Sequence, residues 1–240
     1  MCYSYAIGGR KYQNMVKTGQ DVDDIIRTIE PKFRFANGFE HPKMPILTSE
    51  CFENFNWGLV PSWTKSFADA LQIRKQTLNA VSETVFEKPS FKASIKSKRC
   101  AIPAAGFFEY RHVGKLTFPY FISHSDDHVF WFAGIYNTCT IGSDNFNTFS
   151  ILTTEANKLM TKIHNTKKRM PLILNDDDVS KWLDPKLTEP EIQRLCLPFS
   201  DDFMKAHTIN RLKITSNTED TEAAIKPFSY YELEELPFQE

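Results

Sequence analysis

Between Arg99 and Thr154 the chain passes through four windows, RCAIPAAGFFEYRH, KLTFPYFISH, HVFWFAGIYN and NTFSILTT, rich in aromatic and β-branched residues and separated by turn-forming sequence. Such side chains suit a pleated, half-buried surface, and windows of this kind predict consecutive strands of a largely antiparallel sheet. Around them the periodicity is helical. DVDDIIRTIE, with Asp21 as N-cap, reads as a short amphipathic helix, SFADALQIRK as another, and PSFKASIKSKR as a third with Pro89 in its first turn. After the strands EANKLMTKIH returns to helical spacing, and DDDVSKWL and TEPEIQRLC are short helices with acidic starts. Strands in the middle with helices on both sides make an α+β pattern, and a chain without repeats or a low-complexity linker fits a single domain over residues 1–240.

No apolar run is long enough to cross a bilayer, and MCYSYAIGGRKYQNM lacks the apolar core and cleavage site of a secretory signal. The five cysteines are scattered and form no C-x-x-C pair, so neither a zinc site nor a disulfide framework is signalled, and a reducing, cytoplasmic compartment is expected. The net charge of -1 conceals an asymmetry. Lys88, Lys92, Lys96, Lys98 and Arg99 form one basic group, and Lys162, Lys167, Lys168 and Arg169 a second, while the segment from about residue 215 to 240 is acidic. Total charge therefore says nothing about nucleic acid, local charge permits a basic groove, and a charge run by itself is a solvated face.

Four residues could carry chemistry. Cys2 follows Met1 directly, and initiator methionine is usually trimmed before a small residue. Trimming would leave a 1,2-aminothiol, whose amine condenses with aldehydes and whose thiol is nucleophilic. Glu109, among Phe107, Phe108 and Tyr110, is an outward edge residue from pattern alone, or else a partly buried acid with a raised pKa. His164 stands where a helical stretch gives way to a basic loop, the usual place of a dipole or capping partner. Asn79 lies between two helical patterns, where capping is the default.

Taken in order, MC at the start, WGLVPSW, LNAVSETVFEKPSF, RCAIPAAGFFEY, FSILTTEAN and IHNTKKRMPLIL closely resemble the SRAP (SOS response-associated peptidase) family, from Cys2 to about Leu183. The resemblance implies a mainly antiparallel, barrel-like β core flanked by short helices. It implies a monomeric protein, associated with the nucleoid in a bacterium, that binds single-stranded DNA containing abasic sites. The ring-opened abasic aldehyde would be captured by Cys2, after Met1 removal, as a covalent thiazolidine crosslink. Matched by motif, Cys2, Asn79, Glu109 and His164 are the catalytic residues. Trp63, Phe39, Arg169, Lys167 and Lys168 are the DNA-binding ones, with core packing the equal alternative for Trp63. No metal or organic cofactor is implied.

The chain departs from the family pattern at three places. Tyr3 and Ser4 stand where Gly-Arg is common, Val81 stands where an arginine often binds DNA, and Asn165 to Lys168 lengthen the loop between His164 and Arg169. Two cations beside a lost one suggest partial compensation. Two other readings stay open: a thiol (auto)peptidase using Cys2, His164 and Asn79, and a non-covalent single-strand-binding module. Whether a crosslink would persist or be reversed through Glu109 and His164 also stays open.

Overall fold

The aromatic strands close on themselves. In a computed structural model that describes residues 2–8, 34–211 and 221–234, β3 (Lys43–Leu47), β4 (Phe52–Trp57), β6 (Arg99–Ala104), β9 (Phe130–Ile141) and β10 (Asp144–Glu155) form a ring. Its order is β10–β4–β3–β6–β9, and β9 returns to β10. The pairings are antiparallel except β4 with β10. Closure leaves these five strands without the unpaired edges of an open sheet. The predicted helix over residues 21–30 lies outside the described residues.

Short strands extend the ring. β5 (Asn79–Val81) runs parallel to Ile151–Thr153 of β10, and β11 (Arg169–Pro171) runs antiparallel to Thr153–Glu155. β12 (Ile173–Leu174) joins β9. Asn79 thus begins a strand instead of capping a helix, because Leu78 and Ala80 are drawn into the core beside it.

A second, wholly antiparallel sheet has the order β13–β8–β7–β1–β2. It comprises β1 (Ser4–Ile7), β2 (Arg34–Asn37), β7 (Gly106–Val113), β8 (Leu116–His124) and β13 (Met204–Thr208). Its side chains alternate with the two-residue period of a strand. Tyr5, Ile7, Phe107, Phe118, Tyr120 and Ile122 share a core with Met44, Ile102, Phe130 and Phe132 of the ring. Ala6, Phe35, Phe108 and Phe121 turn the other way and pack with Ile209 and Ile225. The second face of the ring strands, including Leu47, Ala101, Trp131 and Leu152, is covered by the helices Asp176–Leu183 and Glu189–Leu195. At Gly106 a Cβ would meet Phe121 Cζ at 2.4 Å and the Ile122 carbonyl oxygen at 2.5 Å, so only glycine lets β7 lie this close to β8.

The predicted helix in PSFKASIKSKR shrinks to Ser94–Ser97, since the chain turns through Val85–Ala93 to bury Phe91 and Ile95 against the ring. Arg99, counted by sequence in a basic patch, is buried and faces no solvent groove. Its guanidinium donates to the Trp182 carbonyl at 2.8 Å, to those of Ile95 and Lys96 at 2.7 Å each, and to that of Asp184. It therefore satisfies terminal carbonyls of two helices at once and fastens both to the ring. The acidic C-terminal segment, where described, is packed: the Ile225 carbonyl contacts His207 Nε2 at 2.6 Å, and the Tyr230 hydroxyl donates to the Ile209 carbonyl at 2.7 Å.

Replacing Arg99 by Ala leaves those buried carbonyls without their donor. Urea unfolding should show a loss of about 3 kcal/mol or more, with Arg99→Lys recovering only part because one ammonium cannot reach all four oxygens. A loss below about 1 kcal/mol would mean that the clamp contributes little.

Candidate functional site

Glu109 lies two residues after Phe107 on β7, so the alternation that buries Phe107 also turns the Glu109 carboxylate into the space between the sheets. It is 5% exposed, which corrects the edge placement expected from pattern alone. Burial pushes its pKa up to about 7, against the opposing pull of the positive chain terminus and the Tyr110 backbone N–H. Cys2 enters the same core just before β1 and is fully buried, its thiol directed at the Ser4 carbonyl at 3.6 Å. Burial, and then the negative charge of Glu109, push the thiol pKa far up, so the sulfur is protonated at neutral pH. Burial, and then the same Glu109 charge, also raise the Tyr3 pKa.

His164 reaches this carboxylate from the ring side. The helix Lys158–Ile163 is capped by Asn157, whose Oδ1 accepts from the Met160 N–H at 2.8 Å and whose Nδ2 donates to the Phe199 carbonyl at 2.8 Å. His164 ends that helix and is buried. Its Nδ1 is 2.8 Å from the Arg169 carbonyl and 3.9 Å from Glu109 Oε1. A carbonyl can only accept, so Nδ1 carries the hydrogen. Burial lowers the His164 pKa, and the neutral ring then presents its lone pair at Nε2. A carboxyl raised toward neutrality and a neutral imidazole thus sit 3.9 Å apart close to Cys2, an arrangement able to give and take protons.

Asn79 presents a different signal. Both atoms of its side-chain amide are buried without a hydrogen-bond partner. Buried amides are normally satisfied, and one held open in this way is suited to a polar group arriving from outside.

Arg169 is bound bidentately by Glu83, 2.8 Å for each nitrogen, and donates to the Thr153 carbonyl at 2.7 Å. This pins β11, and with it the carbonyl that orients His164, to β10 and to the turn after β5. The expected phosphate contact would require Arg169 to share or leave that pair. The long loop after His164 has its own anchor: Asn165 Oδ1 accepts from the His112 N–H at 3.1 Å, and its Nδ2 donates to the His112 carbonyl at 2.7 Å. One side-chain amide thereby copies a strand pairing on β7, the strand that carries Glu109. Lys167 and Lys168 are exposed beyond this anchor, Lys168 at φ 50°. Phe39 is 64% exposed, its ring centroid 4.9 Å from that of Tyr3 beside Cys2. Trp63 is 53% exposed, which removes core packing as its role, and its Nε1 donates to the Pro89 carbonyl at 3.3 Å.

The structure therefore brings Cys2, Glu109 and His164 together, places the buried Asn79 amide on β5 beside β10, and leaves Phe39, Trp63, Lys167 and Lys168 on the surface. Glu83, Asn157 and Asn165 were missed by sequence reasoning. Each acts through a partner distant in sequence or through a backbone group, and no local pattern reports that.

A family model described as "SOS response associated peptidase (SRAP)" matches residues 1–213. The chain is 34% identical over 207 residues to a Bacillus subtilis (strain 168) protein named "Abasic site processing protein YoqW", covering 80% of this chain and 89% of that one. It is 33% identical over 153 residues to the Gallus gallus protein named "Abasic site processing protein HMCES", covering 55% and 44%. A crystal structure of a protein from Bacteroides thetaiotaomicron superposes with a TM-score of 0.84 at 38% identity, over 95% of this chain and all of that one.

Because the folded pKa of Glu109 lies above its ordinary value of 4.5, the fold favours the protonated carboxyl. The associated stability is present below pH 4.5 and is lost as pH rises through about 7. Glu109→Gln should therefore be more stable than the parent at about pH 8, by on the order of 3 kcal/mol, with the gap nearly closed by acidification. Urea unfolding at the two pH values checks this, and an equal gap at both would contradict the raised pKa.

Proposed function

The chain belongs to the SOS response associated peptidase (SRAP) family, and on that premise we propose that it processes abasic sites in DNA by covalent capture at Cys2. Removal of Met1 creates an α-amine on the carbon adjacent to the one bearing the thiol. The amine adds to the aldehyde of the ring-opened abasic sugar to give a carbinolamine, which loses water to an imine. The thiol then adds to the imine carbon, its proton passes to the nitrogen, and the five-membered thiazolidine closes. One water leaves overall, and no oxidant or cofactor is consumed.

The observation that carries this reading is the burial of Glu109 beside Cys2 with a pKa of about 7. Ring opening of the sugar, dehydration of the carbinolamine and ring closure each need a proton given or taken, and a carboxyl poised near neutrality does both. His164 complements it through Nε2 at the sugar oxygen and supplies the reverse transfers if the ring reopens. The Asn79 amide binds the ring-opened sugar or the α-amine. A thiol peptidase would use the Cys2 sulfur alone, whereas the thiazolidine also requires the α-amine on the adjacent carbon. Single-stranded DNA would run over Phe39 and Trp63 as stacking platforms, with Lys167 and Lys168 near its phosphates. In this reading Arg169 positions His164 through the Glu83 pair, and the loop cations take up part of the charge that Val81 lacks. The biological setting is DNA damage, the SOS response in a bacterium.

The purified chain lacking Met1, incubated with a single-stranded oligonucleotide holding one abasic site, should give an adduct that survives denaturing electrophoresis. Cys2→Ala should abolish it, and Glu109→Gln should slow it by about 10²- to 10⁴-fold. A chain with one extra residue before Cys2 should give no thiazolidine, whereas a peptidase would tolerate that extension. An undiminished adduct from Cys2→Ala, or no adduct from the parent, would overturn the proposal.

A further inference from the structure

The β8–β9 turn gathers a second set of reactive side chains that the abasic-site reading does not use. His124 ends β8 four residues beyond Tyr120, which stands opposite Glu109, so the turn lies roughly 13 Å along the strand from that carboxylate. Asp127 takes the left-handed conformation at φ 61°, and its N–H donates to the His124 carbonyl at 3.2 Å. The Asp126 N–H donates to His124 Nδ1, also at 3.2 Å. This reversal returns His128 to the side of His124, with ring centroids 5.1 Å apart. One ligand atom from each of His124, Asp126 and His128 lies within 4.8 Å of the other two. Both rings line a cleft of about 170 Å³ that Asn175 and Asp176 also line, at the start of the helix Asp176–Leu183. Phe203 stacks on His124 at 6.2 Å and 17° and holds that ring in place. Lys205 lies close by, but its ammonium is engaged by Asp127 at 2.9 Å and the Ser125 carbonyl at 3.0 Å.

We infer that this turn binds one divalent transition-metal ion through His124, Asp126 and His128, with Asp176 supplying a fourth ligand from across the cleft. Two imidazoles favour zinc and its transition-metal neighbours over magnesium or calcium, which take all-oxygen sites. Around a tetrahedral ion with bonds of about 2.1 Å, ligand atoms stand about 3.4 Å apart, so the three need to draw in by little more than an ångström. The Asp126 N–H must also release His124 Nδ1, either to the ion or to carry the ring hydrogen when Nε2 binds. Asp126 is exposed, and both histidines are half-buried. The ion would tie the turn to the helix that caps the ring, joining the two sheets at the end away from Cys2.

Calorimetric titration of the full chain should show one Zn²⁺ bound and no Mg²⁺. The double substitution His124→Gln, His128→Gln should weaken Zn²⁺ binding by more than about tenfold, as should Asp126→Asn, which alters only an exposed side chain and keeps the test valid if the double variant fails to fold. Co²⁺ in place of Zn²⁺ should give a visible d–d spectrum with no thiolate-to-metal charge-transfer band. Absence of Zn²⁺ binding, binding unchanged in Asp126→Asn, or a thiolate band assigning the ion to cysteine would each overturn the inference. Adduct formation with abasic DNA, measured on the same proteins, is independent of all three outcomes.

Discussion

The carboxylate of Glu109 sits on the inward face of β7, and the rest of the site is an answer to that placement. The alternation that makes Phe107 a core residue obliges Glu109 to be one as well. Water is excluded, so the charged form is disfavoured and the pKa climbs toward 7. Everything nearby then matters because of that carboxyl. Cys2 stays a thiol beside it, and His164 is held 3.9 Å away with its Nδ1 hydrogen tied to a carbonyl. Holding one buried carboxyl near its own neutral point costs folding free energy, and the two-layer core offsets it.

The supports of the site are polar clamps made from single side chains. Arg99 collects carbonyls from the ends of two helices, and Arg169 joins β11 to Glu83 and Thr153. Asn157 caps the helix that ends at His164, and Asn165 ties the following loop to β7. His164 is thereby set from three sides, by its helix, by β11 and by the strand carrying Glu109. The lengthened loop gains a definite geometry from Asn165 in spite of its extra residues. Its lysines stay outside, where they can face a phosphate backbone.

The strands were legible because aromatic and β-branched residues have few other uses at such density. All four central windows fold as strands, and the helices expected in SFADALQIRK and TEPEIQRLC form as Phe67–Arg74 and Glu189–Leu195. Ring closure was reached through the family resemblance, since β3 and β4 join the ring by pairings that no local period encodes. The parallel pairings of β10 with β4 and β5 were not foreseen for the same reason. Cys2, Asn79, Glu109 and His164 were found as a group by motif, but the pattern around Glu109 pointed outward. What reversed it was the sheet lying on the ring, which turns an apparently amphipathic strand into one buried on both faces near Phe107 and Phe108. Arg99 was misread as part of a solvated basic run, because sequence spacing does not reveal that a cation has four carbonyls waiting for it.

The central claim, that the amine and the sulfur of the same residue close on one aldehyde carbon beside Glu109, is tested most directly by the intact mass of the product. Protein incubated with an abasic single-stranded oligonucleotide should have the mass of the chain without Met1, plus the oligonucleotide, less one water, and the mass should not change on treatment with borohydride, since a closed thiazolidine has no imine to reduce. A product that retains Met1, or one that takes up two hydrogens under borohydride, would contradict the account.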